Sequence, residues 1–127
     1  MKNLKYAFVR FDFLDQDEIK TTKSVLLLQK IEKGSRNNGV EYYKVLKIKS
    51  SSKETEENFI GGEIIHDKNR ERLFFTVANT SKVTGNKEPN FIVHISYQKD
   101  VDRDIYTGFA LYDNIAETSY SEFQFVN

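Results

Sequence analysis

Cysteine and tryptophan are both absent from this 127-residue chain, proline occurs once, and the longest uninterrupted aliphatic run covers only residues 25–28. Each absence excludes something. Without cysteine there is no disulfide, no thiolate nucleophile and no zinc site that depends on sulfur. A thiol-free chain of this size fits a reducing compartment such as the cytoplasm. The short aliphatic run falls well below the length of a membrane-spanning helix. The opening stretch "MKNLKYAFVRFDF" is interrupted by Lys5, Arg10 and Asp12, so it lacks the apolar centre of a secretory signal. A surplus of one charge is missing too, because 19 basic and 19 acidic residues cancel. That balance argues against a duplex nucleic-acid binder, which carries a basic excess. A small anionic ligand held by a few local cations stays compatible with it.

The sequence motifs of catalysis are missing as well. There is no Gly-x-Ser-x-Gly elbow and no His-Glu-x-x-His helix. "DVDRD" (100–104) has the acidic spacing of a calcium loop but lacks the downstream glycine and glutamate. Of the two histidines, His66 opens the breaker "HDKNR" and reads as a solvated loop residue. His94 alternates against Phe91, Val93, Ile95 and Tyr97 and reads as facing solvent. The chain is therefore expected to be non-enzymatic, with no cofactor and no metal.

What is present is a period of two. Residues 5–13, 23–33, 40–49, 58–65, 71–80, 90–98, 104–113 and 119–127 alternate apolar and polar side chains and are rich in Val, Ile, Tyr, Phe and Thr. Polar breakers separate them at 34–39, 50–58, 66–70, 81–89, 99–103 and 114–117. Pro89 stands just before a strand, where its missing N–H removes no ladder bond. Residues 15–22 carry a capping-box pair, Asp15 and Glu18, which predicts a helical turn ahead of a strand beginning near Lys23.

Short connections leave no room for crossover helices, so the strands should pair as an antiparallel meander. The expected fold is all-β: one domain over residues 1–127, an eight-stranded antiparallel up-and-down β-barrel, with a two-sheet sandwich as the competitor. Gly61, Gly62 and Gly108 mark sites where the sheet bends or another group approaches closely. Phe75, Val77, Phe91, Val93, Ile95, Phe109, Leu111, Phe123 and Phe125 lie on the more apolar faces of their strands and should point inward.

A ligand site is sought where rings and cations alternate. Tyr6 and Arg10 on the first strand, Tyr42 and Lys44 on the third, and Tyr106 on the seventh could stack on flat groups and neutralise anionic ones. The apolar face assigned to the seventh strand would need a bulge near Gly108 to turn Tyr106 inward. The plain alternative is an outer surface whose rings and aliphatic stems cover the sheet.

The serial pattern "NFIGGEII … RLFFTVANTS … NFIVHISYQ … IYTGFALYDN … SYSEFQFV" resembles the minimal eight-stranded β-barrels of bacterial anti-phage effectors. The resemblance implies a cytoplasmic sensor domain that binds a cyclic oligonucleotide, with any membrane contact made through helices this chain does not contain. It departs from that group in having no tryptophan. Self-association as a homo-oligomer stays open. Two other readings stand beside it: a carrier of an apolar small molecule, and a filled barrel that acts as a protein-interaction module. The Gly-x-Trp of lipocalins and the Arg-x-Tyr of fatty-acid carriers are both missing. The cavity should decide among the readings: mixed aromatic and cationic for the sensor, apolar for the carrier, none for the module.

Overall fold

The computed structural model describes residues 3–15, 17–32, 39–79, 91–112 and 115–126, with the side chains of 13–15, 91, 112 and 115–118 outside the description. Eight strands run in chain order: β1 (Leu4–Asp15), β2 (Glu18–Ile31), β3 (Val40–Ser50), β4 (Phe59–Asp67), β5 (Arg72–Asn79), β6 (Phe91–Lys99), β7 (Tyr106–Tyr112) and β8 (Ile115–Val126). Each pairs antiparallel with its neighbour, and β1 closes onto β8, giving a closed up-and-down barrel. Closure removes the free edges a sandwich would leave. The expected architecture is the observed one.

Two local expectations change. No helix forms over the described residues of 15–22. Instead β2 begins at Glu18 and pairs without interruption with β1, Asp15 facing Glu18. A capping-box pair is a weak local signal, and ladder pairing on one flank with burial of alternate residues outweighs it. The one helix among the described residues, α1 (Lys53–Asn58), lies in the stretch read as a breaker. Ser52 caps it, accepting a hydrogen bond from the Thr55 N–H.

The position of α1 follows from the ladder beside it. β3 pairs with β4 only from Val40–Asp67 to Lys44–Glu63, so the seam parts beyond that point. α1 sits there, and its Glu56 carboxylate accepts the Ser50 N–H at 2.6 Å. One backbone group at the parting is thus satisfied by a side chain rather than by a strand.

Pleating fixes what fills the lumen. Ala7, Val9, Leu26, Leu28, Tyr43, Val45, Ile64, Leu73, Phe75, Val77, Val93, Ile95, Tyr97 and Phe123 are buried, as expected for most of the inward set. A bulge between Leu27 and Leu28 against β3 lets Tyr43, Val45 and Ile48 share the inner face, although strict alternation would split them. Phe125 is half-buried against the core. Phe91 was expected inward, and its side chain is outside the description.

β7 corrects the face assignment. Tyr106 and Ala110 are buried, whereas Phe109 and Leu111 are 61% and 57% exposed. The reason is space. Tyr97 and Phe123, each nearly fully buried, already occupy the lumen beside the middle of β7, so the inner face there takes only Gly108 and Ala110. At Gly108 the backbone of β6 comes so close that an added Cβ would run into the Ser96 carbonyl. No bulge re-aims Tyr106. The strand is regular from Tyr106 to Leu111, and its larger apolar side chains simply face outward.

Candidate functional site

Rings divide the lumen into two unlike halves. Phe75, Phe123 and Tyr97 form its middle, with Phe75–Phe123 centroids 6.3 Å apart and Tyr97–Phe123 5.7 Å apart. Their geometry is the tilted and edge-on packing that aromatic quadrupoles favour. The Tyr97 phenol lies within this layer and is 2.8 Å from Ser121 Oγ, which in turn donates to the Arg10 carbonyl at 2.9 Å. Burial pushes the Tyr97 phenol above its ordinary pKa.

Above this layer, at the α1 end, lies a half-open cup of about 300 Å³. Its wall is apolar: Val9, Phe11, Leu26, Ile48, Phe75, Val77 and Val93. Polar groups contribute at Thr22, Ser24, Asn79 and, from the α1 side, Ser52, Glu54 and Thr55. The strands set this up directly. Inner positions of β1, β2, β5 and β6 carry small and branched side chains here, and the parted β3–β4 seam leaves room that a continuous ladder would close. Ser24 is 97% removed from solvent (3% exposed), and its hydroxyl has no hydrogen-bond partner among the described residues. An apolar concavity with a few fixed polar groups is the usual form of a small-molecule site.

The opposite end carries a polar cluster. The Tyr106 hydroxyl and His66 Nε2 are 2.7 Å apart, and His66 Nδ1 lies 3.4 Å from Glu41 Oε1 without the alignment of a hydrogen bond. Tyr43 donates its phenol proton to Glu41 at 3.2 Å, and Lys30 and Lys68 reach the same carboxylate at 3.1 and 3.7 Å. Burial pushes the Glu41 carboxyl up, but the Lys30 hydrogen bond, the Lys68 charge and the Tyr43 phenol outweigh it and leave it below the usual range. Burial lowers His66 against a smaller upward pull from Glu41. The Phe125 and His66 ring centroids are 4.9 Å apart, and the Lys5 ammonium stands 4.6 Å from the Phe125 ring centroid.

The structure does not gather the five ligand-binding candidates into one place. Tyr6 and Arg10 face outward on β1, and Arg10 is paired with Asp12 at 3.0 Å. Lys44 is exposed on the outer face of β3, with Tyr42 half-buried on the same face. Tyr106 alone enters the lumen, at the end away from the cup. Arg10 and Tyr106 therefore lie on opposite faces of the barrel wall.

Sequence reasoning missed two features. His66 was read as a solvated loop residue, yet it stands on β4 with its side chain 12% exposed and engages Tyr106 and Glu41. The signal was parity: Gly62, Ile64 and His66 alternate in one strand, and the breaker residues after His66 obscured its membership. The cup was missed because its lining comes from β1, β2, β3, α1, β5 and β6, and no single stretch carries it. His94 is exposed, as expected.

Among the described residues no group of three or more metal-ligating side chains converges, and no helix is long and apolar enough to cross a membrane. Comparison with protein-family models, with curated proteins and with solved structures finds no match to this chain.

Proposed function

We propose that this chain is a non-catalytic ligand-binding barrel that carries a small, mainly apolar molecule in the cup at the α1 end. The observation that carries the reading is the half-open cavity of about 300 Å³ with an apolar wall and no lysine or arginine among the described residues that line it. Burying an apolar ligand there gains roughly 25 cal/mol for each Å² removed from water. The parted β3–β4 seam, bridged by α1 rather than by ladder bonds, gives such a molecule a way in.

Sensing of a cyclic oligonucleotide, which the resemblance implies, is the second reading. It is favoured by the other end of the barrel, where Tyr43, His66, Tyr106 and Phe125 stand beside Lys5, Lys30 and Lys68. That end combines rings with cations, as stacked bases and phosphates require. The cup does not, so its chemistry supports the carrier first.

Calorimetry separates the two. Neutral N-phenylnaphthylamine is expected to bind the parent protein, and to fail with Val93→Phe, which fills the cup. Cyclic di- and trinucleotides are expected to give no heat. Tight binding of a cyclic nucleotide that survives Val93→Phe, with no uptake of the apolar probe, would reverse the order of the readings.

A further inference from the structure

The described polar groups of the cup include a carboxylate, hydroxyls and an amide but no cation. Glu54 is the one charged side chain among the described residues that line it, and the other polar contributors are hydroxyls and the Asn79 amide. Glu54 is exposed at the α1 side of the opening, and among the described lining residues there is no cation to neutralise it. The lysines adjoining lining residues, Lys23 on β2, Lys47 and Lys49 on β3 and Lys53 at the start of α1, are all exposed, and those on the strands alternate onto the outer face.

Resting on the reading of the cup as a ligand site, we propose that its ligand is a short amphiphile with a cationic head, an alkyl or arylalkyl amine. The apolar body lies against Val9, Leu26, Val77 and Val93, and the ammonium stands at the opening beside the Glu54 carboxylate. An ammonium has three donors and no acceptor, so it suits a rim that offers carboxylate, hydroxyl and amide oxygens. A carboxylate or phosphate head would meet the like charge of Glu54 at the opening. The carboxylate of a fatty acid would find no cation among the described lining residues to hold it. Deeper in the wall, the unpartnered Ser24 hydroxyl is a second polar anchor, suited to a ligand with a hydroxyl or ether group on its body. The volume sits at the lower limit of small-molecule pockets, so the body is short.

Octylamine, octanol and octanoate share one tail and differ only in the head, and they provide the test. Calorimetry near about pH 7.5 keeps the amine protonated and the acid ionised. The amine is expected to bind at least about tenfold more tightly than octanoate. Glu54→Gln is expected to bring the amine down to the level of octanol. Val93→Phe is expected to abolish binding of all three while the circular dichroism spectrum stays that of the barrel. Equal binding of the three heads, or octanoate bound most tightly, overturns the cationic head and leaves the cup reading standing. Binding by none of them, or binding that survives Val93→Phe, overturns the cup reading and with it this inference.

Discussion

Ser121 shows how a residue with little sequence signal comes to matter. It is fully buried, accepts the Tyr97 phenol proton and passes its own to the Arg10 carbonyl. Ser121→Ala leaves a buried phenol unpaired and is expected to cost roughly 1–3 kcal/mol in urea unfolding. Adding Tyr97→Phe should recover part of that loss, because both halves of the pair are then gone. An unchanged midpoint for Ser121→Ala would show that the phenol finds another partner.

His66 gives a prediction in pH. Burial holds it below its ordinary 6.5, so the folded protein binds fewer protons at this site than the unfolded chain does. Its contribution is complete above the unfolded value and is lost as pH falls below it. Between about pH 7.5 and about pH 5.5, the parent protein should lose more stability than His66→Gln, measured by denaturant midpoints. Equal losses would contradict this. Neither role stood out in the sequence: His66 opens a polar breaker and reads as a loop residue unless its parity with Gly62 and Ile64 is followed, and Ser121 is a small polar residue whose partner, Tyr97, lies on another strand.

At the scale of elements, strand identity was open to reading and the facing of one strand was not. Alternation shows that β7 has two faces but not which one the lumen has room for. Large rings from β6 and β8 fill the lumen beside it, so β7 turns its glycine and alanine inward and its phenylalanine and leucine outward. Phe123→Ala is expected to destabilise by ~3–5 kcal/mol, and Phe109→Ala by under about 1 kcal/mol. Similar losses at both positions in thermal unfolding would overturn the facing of β7. The helix was misplaced for a related reason. Local capping signals exist near Asp15 and near Ser52, and ladder pairing decides between them: β2 is paired from Glu18 onward, while β3 and β4 part company beside α1.

For the whole molecule, the period of two and the short connections were enough to anticipate a closed eight-stranded barrel. The cup was beyond that reading, because it depends on a bulge that shifts the inner face of β3 and on a β3–β4 seam that parts after Lys44–Glu63, well short of the ends of both strands. Both are consequences of register, which single-strand patterns do not carry. The most direct test of the central claim is a methyl-labelled NMR titration with octylamine. Shifts are predicted at the Val9, Leu26, Ile48, Val77 and Val93 methyls that line the cup, with those of Leu73 and outward-facing Leu111 unmoved. Shifts confined to outward-facing methyls such as Leu111, or none at saturating probe, would contradict a ligand site in the lumen.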